Sequence, residues 1–389
     1  MTTLDPLSAV PDQSRAIVEL AREFAANEIA PTAAERDRTK APPTEEFRKL
    51  GELGFFGMLI PEQYDGLALD TLTYMMVIEE LAVADASVTI TVSVHNSLPT
   101  SMLLQHGSEE QKNHWLPRMA RGELAAFALS EADAGSDAAS LRAQAVSDGS
   151  GWILNGTKAW VSHGDCAALL VVMARTDRPE DRRGARGISA FLIPRDMPGV
   201  QIGKPEDKMG LRSSQTVSVT LRDVRLSPEH LLGQEGHGFI YALEALDHGR
   251  LGVAAQAVGI ARAALECSIQ YAAERKQFDT PIKDFQGIQF KLADMATRVA
   301  AARALMYEAA RRKDAGMDVT ELAGMAKLYG SEMAMWVTTQ AVQIYGGYGY
   351  MRDYPVERLF RDAKVTEIYE GTSEIQRIVI GRGLHAQQR

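Results

Sequence analysis

The sequence predicts an α+β multidomain fold in three consecutive parts: a helical N-terminal domain (1–126), a middle β domain (127–235) and a C-terminal helical bundle (236–389). Three observations carry this. The chain of 389 residues exceeds what one hydrophobic core usually supports. Both ends have apolar residues at three- and four-residue spacing. Between about Phe127 and Gly233 the chain turns rich in Gly, Asp, Ser and Pro, with short β-branched runs.

In the first part, Ile17, Leu20, Phe24 and Glu28 fall on a helical repeat from Ser14 to Ala30, with Pro31 expected to close the segment. Helical pattern continues in "EEFRKLGELGFFGMLI", "TYMMVIEELAVAD" and "SEEQKNHWLPRMARG". In the middle part the strands are "GWILNGTKAWVS", "ALLVVMAR", "GISAFLIPR" and "TVSVTLRDVRL". In the last of these, Val217, Val219 and Leu221 alternate with Ser218, Thr220 and Arg222, the period of a half-buried strand. After "GQEGHG" the chain is helical again, with a stripe at Leu322, Met325, Ala326, Tyr329, Met333, Trp336 and Val337. Contiguous rather than alternating order argues against a parallel Rossmann sheet.

The net charge of −9 and the lack of a long basic run argue against nucleic acid or an anionic membrane as the main partner. A negatively charged ligand would need local Arg or Lys clamps. Cys166 and Cys267 lie in no CxxC or Cys/His cluster, so neither a disulfide framework nor a zinc site is expected, and a reducing compartment fits. "MTTLDPLSAVPDQ" resembles neither a signal nor a transit peptide. The longest apolar run, Cys166 to Ala174, is too short to span a bilayer. A soluble, cytoplasmic protein is expected.

The fingerprints GxGxxG after a strand, GxxxxGK[ST], GxSxG and HExxH are all missing. Four stretches stand out instead: "FALSEADAGSD" (127–137), "NGTKAWVSHGD" (155–165), "ERKQFDTPIKDFQGIQFKLADM" (274–295) and "QIYGGYGYMRDYPVERLFRDAKVTEIYEGTSE" (343–374). Taken singly they have bland readings: a surface turn for the first, core packing for Trp160, a solvated charge for Arg275, and a local ion pair for Asp247 and Arg250, three apart on one helical turn. Glu374 sits in the first turn of a helix capped by Thr372 or Ser373, which explains it structurally. Glu367 is expected to face solvent. Glu370 precedes the cap, so capping leaves it unexplained.

In order and in combination, these stretches make the chain resemble the acyl-CoA dehydrogenase family of flavoproteins over nearly its whole length. The resemblance implies a barrel-like middle domain, a C-terminal four-helix bundle and FAD as cofactor. It places Phe127, Leu129, Ser130, Gly135 and Ser136 beside the flavin, with Ser130 bonding it and Ser136 also near the CoA chain. Trp160 would lie beside the ring, next to Val161, with Ser162 donating to flavin N5. Positions 130 and 162 usually hold Thr and 132 usually holds Pro; here the hydroxyls are kept, while Ala132 leaves the loop less rigid. Arg275, Phe278 and Gln286 are assigned to the adenosine and pyrophosphate part of FAD, and the backbone of Gln343, Ile344, Gly346 and Gly347 to the cofactor of a neighbouring subunit. Thr372 and Glu374 complete the cofactor set; Ser136, Asp247, Arg250, Tyr369 and Gly371 face the acyl-CoA, and no metal is implied.

Some relatives carry their catalytic Glu at the position of Gly249, and a glycine cannot be a base, which leaves Glu370. The implied reaction removes the α-proton of an acyl thioester while a β-hydride leaves to flavin N5, giving a trans-2-enoyl-CoA and passing electrons to an electron-transfer flavoprotein. Enclosing Glu370 against apolar surroundings and Tyr369 would raise its pKa from about 4.3. The pattern is nearest to short-chain (butyryl-type) or short branched-chain members, in fatty acid β-oxidation or branched-chain amino acid catabolism. A homotetramer built as a dimer of dimers is expected. The alternatives are an acyl-CoA oxidase using oxygen, whose relatives tend to be longer, and a non-catalytic scaffold of the same fold, which predicts loss of the base or of cofactor contacts.

Overall fold

The computed structural model describes residues 12–177 and 184–386. The first eleven residues, which hold most of the stretch read above for targeting signals, lie outside the described residues.

Helix α1 (Asp12–Phe24) runs through a π-helical turn (Ala25–Ile29) directly into α2 (Ala30–Thr39). The helical path therefore passes Pro31, contrary to expectation. Pro31 falls in the first turn of α2, where its missing N–H leaves no bond unmade. The buried face of α1 keeps Phe24 of the expected stripe but is otherwise one position off it. Val18, Ala21 and Phe24 are buried while Leu20 is exposed. Helix α3 (Thr44–Glu52) ends earlier than its pattern suggested, at a turn where Gly54 has φ +78°.

Helices α4 (Thr71–Ala84) and α5 (Ala86–Ser97) are buried nearly all round. Asp70 and Asp85 cap their N-termini, accepting from Thr73 N at 2.6 Å and Ser87 N at 2.8 Å. Two polar residues of α5 bond locally or into its neighbours: Asn96 Nδ2 donates to Phe55 O and Val92 O, and His95 Nδ1 accepts from Ala125 N at 3.0 Å. Helices α6 (Pro99–His106) and α7 (Glu109–Ala120) complete the first part, α7 opening with a Ser108/Gln111 capping box.

The middle part is one sheet in the order β6 (Val200–Ile202), β7 (Thr216–Leu226), β3 (Trp152–Ser162), β2 (Gln144–Ser147), β4 (Leu169–Arg175), β5 (Ile188–Pro194), β8 (Leu231–Leu232), with β1 (Ala125–Ala128) paired to β4. Only β1·β4 and β2·β4 are parallel; the rest of the sheet is antiparallel. Val217, Val219 and Leu221 are buried and Arg222 is exposed, as the alternation predicts.

The third part is built on α8 (Gly238–Glu274), 37 residues long, with α9 (Gln286–Asp314), α10 (Thr320–Tyr345), α11 (Pro355–Lys364) and α12 (Ser373–Ala386). The middle of α8 is buried all round, because α4 and α5 pack on one side and α9 and α10 on another. Gly259 permits this approach: a Cβ there would lie 2.5 Å from Ala82 Cβ.

A buried ion cluster ties the first and third parts together. Glu79 and Glu80 of α4 have 0 % and 2 % exposure. Glu79 accepts from Arg262 of α8 at 2.9 Å and Arg303 of α9 at 2.7 Å. Glu80 accepts from Arg262 at 2.6 Å and Arg22 of α1 at 2.9 Å. Desolvated charges are tolerated only when each is paired and hydrogen-bonded, so the cluster fixes the relative placement of four helices. Replacing Glu79 by Leu is expected to destabilise the protein by about 3–5 kcal/mol in chemical denaturation, whereas Arg48→Ala, which breaks exposed pairs with Glu45 and Glu52, is expected to leave the transition unmoved.

Candidate active site

The chain leaves α11 through a short 3-10 turn (Val365–Glu367) and reaches Tyr369, Glu370 and Gly371 before α12. Glu370 and Gly371 both have left-handed backbone, φ +53° and +94°. For a glutamate this costs about 1–2 kcal/mol, and such strain persists only where surrounding bonds hold it. Here Lys327 Nζ donates to Gly371 O at 2.7 Å, and Gln376 Nε2 donates to Glu370 O at 3.1 Å and Gly371 O at 3.0 Å.

Both carboxylate oxygens of Glu370 are sealed from solvent and have no hydrogen-bond partner. Burial pushes this carboxyl up to about 7, against the opposing pull of the Lys327 and Arg250 charges. Beside it, on α8, is Gly249. A Cβ at 249 would stand 2.0 Å from Glu370 Oε2 and 2.8 Å from Leu98 Cδ2. A side chain at 249 and a carboxylate reaching in from 370 therefore compete for one volume, and the glycine is what admits Glu370.

The walls are polar groups already committed. The Tyr369 hydroxyl donates to Gln256 Oε1, and Gln256 Nε2 donates to Ala86 O at 2.8 Å. Tyr74 OH donates to Ser93 O at 3.1 Å. Arg250 pairs with Asp247, which also accepts from Thr320 Oγ1 at 2.7 Å, so the local ion pair of the bland reading is present. Burial nonetheless holds the Asp247 carboxyl above its usual range.

The other two carboxylates of this stretch are otherwise occupied. Glu374 lies in the first turn of α12, whose cap is Thr372: its hydroxyl accepts from Ile375 N at 3.4 Å. Hydrogen bonds from its own N–H and from the Thr372 hydroxyl hold Glu374 below the usual carboxylate range. Glu367 does not simply face solvent, as expected: it is paired with Lys364 at 2.5 Å, and its side chain is 18 % exposed.

A second group lies on the sheet. Phe127 is in β1, with Leu129, Ser130, Gly135 and Ser136 in the turn beyond it, and Trp160, Val161 and Ser162 end β3. A register shift against β7 between Lys158 and Val161 throws Trp160 into positive φ (+55°) and leaves its ring 58 % exposed, while Val161 stays in the core. Lys158 is fully buried and holds the turn to the strand: Nζ donates to Leu129 O at 3.0 Å and Glu131 Oε1 at 2.7 Å. Ala159 N adds a bond to Ser130 O at 2.9 Å. Gly135 and Ser136 are exposed.

The third group surrounds a cleft of about 790 Å³ lined by Arg275, Phe278, Ile344, Gly346 and Gly347, together with the rings of Tyr271, Tyr345 and Tyr348. Gln286 and Gln343 are not on its wall. Phe278 is 91 % exposed, and Gly346 and Gly347 face open space. Arg275 lies 5.3 Å over the Tyr348 ring and has no carboxylate within ion-pair distance among the described residues. A flavin dinucleotide fits these donors: an uncommitted guanidinium for the diphosphate, aromatic faces for flat rings, and an exposed Trp160 set out by a strained backbone.

Sequence reasoning missed Lys327, Gln376, Gln256 and Lys158. The expected stripe on α10 passed over Lys327 because lysine reads as solvent-facing; in the structure the buried line is Ala323, Ala326, Lys327, Gly330, Met333 and Val337, and Tyr329 is exposed. The signal available was position alone, since Lys327 lies one residue after Ala326 on that stripe.

A helical, sheet and helical order with a sealed, unpartnered carboxylate, an exposed tryptophan on the sheet and an arginine-bearing aromatic cleft fits a flavin-dependent dehydrogenase. The chain belongs to the acyl-CoA dehydrogenase family, whose members depend on FAD: its models match the N-terminal domain at 11–123, the middle domain at 126–224 and the C-terminal domain at 236–385. It is 45 % identical over 372 residues to the mitochondrial short-chain specific acyl-CoA dehydrogenase of Mus musculus, covering 95 % of this chain and 90 % of that one. The solved butyryl-CoA dehydrogenase of Megasphaera elsdenii superposes with TM-score 0.94 at 43 % identity, covering 97 % and 99 % of the two chains. A chain solved in work on the electron transferring flavoprotein of Acidaminococcus fermentans and flavin-based electron bifurcation has TM-score 0.94 and 46 % identity, covering 96 % and 98 %.

Two outcomes follow from the packing at Glu370. In Gly249→Ala the new methyl displaces the tip of the Glu370 side chain rather than any backbone, so the fold should persist while kcat falls about a hundredfold. The raised Glu370 carboxyl means that the folded state holds a proton the unfolded chain releases near pH 4.5. The resulting stability is full below about 4.5 and is lost as pH rises through about 7. Asp362, pushed up to about 7 by burial, acts in the same window, so the comparison must be with Glu370→Gln: melting temperatures of the two apoproteins should diverge between pH 5 and 8, with the variant relatively more stable at the alkaline end.

Proposed function

We propose that this protein oxidises a short-chain acyl-CoA thioester to the trans-2-enoyl-CoA, with Glu370 as the base that removes the α-proton. The observation that carries the reading is the sealed Glu370 carboxylate, which has no hydrogen-bond partner and whose pKa burial raises to about 7. A carboxylate in water is too weak a base for a carbon acid; one stripped of solvent gains basicity and, with its pKa at about 7, is still about half ionised at neutrality. The backbone N–H of Glu370 makes no hydrogen bond among the described residues and is available to a thioester carbonyl, which would acidify the Cα–H. FAD, when bound, supplies the hydride acceptor. Leu129, Ser130, Trp160 and Ser162 would border its ring, and Thr372, Glu374 and the Arg275 cleft would complete its binding. Asp247, Arg250, Ser136, Tyr369 and Gly371 would line the thioester's path.

The short acyl chain is inferred from the names of the mouse and Megasphaera relatives, and an electron-transfer flavoprotein as acceptor from the Acidaminococcus chain. A homo-oligomer is supported by helix α8. Gly249, against the base, and Arg275, the C-cap of the helix and part of the cleft, are 26 residues apart along it (249 to 275), about 39 Å at 1.5 Å per residue. That is too far for one bound dinucleotide, so the cleft of one chain would serve the base of another, which needs at least a dimer; a tetramer is proposed on the family resemblance alone. Two unpaired cysteines support a reducing, cytoplasmic setting, and fatty acid β-oxidation or branched-chain amino acid catabolism would supply the thioester. Division of the chain close to 126/127 and at 235/236 is proposed on the change from helix to sheet and back; the first change falls a few residues earlier, between the end of α7 at Ala120 and the start of β1 at Ala125.

FAD-loaded protein should be yellow, and butyryl-CoA should bleach the flavin band without oxygen. Glu370→Gln should keep the colour and bind the thioester but lose the bleaching by at least about a thousandfold; bleaching at the wild-type rate would remove Glu370 as the base. A panel of thioesters from butyryl to palmitoyl, with isobutyryl, isovaleryl and 2-methylbutyryl, should give its highest kcat/KM at four or five carbons.

A further inference from the structure

Lys327 stands about two turns into α10 on its buried stripe, with 0 % exposure. The one hydrogen bond of its ammonium among the described residues is to the Gly371 carbonyl, at 2.7 Å, and no carboxylate lies within ion-pair distance. A neutral donor could hold that carbonyl, and Gln376 Nε2 already does so at 3.0 Å. Burying a full charge for one carbonyl is costly, so the hydrogen bond alone does not account for a lysine. What the site does contain is the sealed, unpartnered carboxylate of Glu370, one residue from that carbonyl. We infer that Lys327 is the positioning residue of the base: its ammonium pins the Gly371 carbonyl, which holds Glu370 in its left-handed turn, and sets a fixed positive charge facing the Glu370 carboxylate.

The inference rests on Glu370 being the base. The other charged or titratable groups facing this pair are Arg250 from α8, Tyr74 from α4, Tyr369 beside the base, and Glu367 and Glu374 on either side of it. Arg250 is committed to Asp247, and the tyrosines are pushed up by burial and stay neutral. Lys327 is therefore the main uncommitted cation acting on Glu370. Burial lowers it to about 8, with Glu370 opposing the shift, so it remains charged at neutral pH. Removing a positive charge raises a neighbouring carboxyl further, and the pH at which the base becomes ionised must rise with it.

The test is the rate of anaerobic flavin bleaching by butyryl-CoA as a function of pH, on FAD-loaded protein. Lys327→Gln keeps a donor and removes the charge. Its acidic limb should move up by roughly one unit, with about a tenfold loss at pH 6.5, near-wild-type rate at pH 9 and an unchanged KM. Lys327→Met loses the donor as well, and its rate should stay low at pH 9 too. Lys327→Arg, which keeps the charge, should restore the wild-type limb. A wild-type limb in Lys327→Gln overturns the inference, and this variant decides the matter if Lys327→Met fails to load FAD. Failure of the base assignment itself looks different: Glu370→Gln would then bleach normally whatever Lys327 carries.

Discussion

A carboxylate held out of water without a partner is the constraint on which the rest of this structure depends. Left to itself, Glu370 would turn outward and be solvated. Four arrangements prevent that: Gly249 leaves a hole on α8 for the carboxylate, Lys327 and Gln376 fix the two carbonyls of the turn, Tyr369 is tethered through Gln256 to the start of α5, and Leu98 closes the side. They come from α8, α10, α12 and the junction of α5 and α6, so the sealed carboxylate exists only when the helical parts are docked.

That docking is achieved mainly through α8. One helix carries Gly249 and Arg250 beside Glu370, Gln256 behind it, and Gly259 and Arg262 in the core, and ends at its C-cap Arg275 in the distant cleft. The Glu79/Glu80/Arg262/Arg303 cluster locks the helix against α4 and α9 only a few turns from Gly249. Stability and chemistry thus share one rod, and a change in its register would move the base site and the cleft together.

Much of this was legible in the sequence. The helix, sheet and helix order followed from periodicity, and the alternation of Val217, Val219 and Leu221 survives in the buried face of β7. Glu370 stood out through the family resemblance, by elimination of Gly249, and the structure sets a steric relation beside that elimination in the closeness of Gly249. What could not be read were the residues whose meaning depends on partners far away in the chain. Lys327, Lys158, Glu79 and Glu80 look like solvent-facing charges, and only the fold brings them their partners at Gly371, Glu131, Arg262 and Arg303. Pro31 was misread for a local reason: a proline in the first turn of a new helix has the same sequence signature as one that ends the old.

The central claim is that Glu370 itself moves the α-proton. Reduced enzyme cannot accept a hydride, so with butyryl-CoA in D2O only proton transfer remains, and NMR can follow deuterium entering Cα. Wild-type protein should exchange the α-hydrogen at a rate that rises with pD through about 7, and Glu370→Gln should exchange no faster than free thioester. Exchange by Glu370→Gln at the wild-type rate would contradict the account.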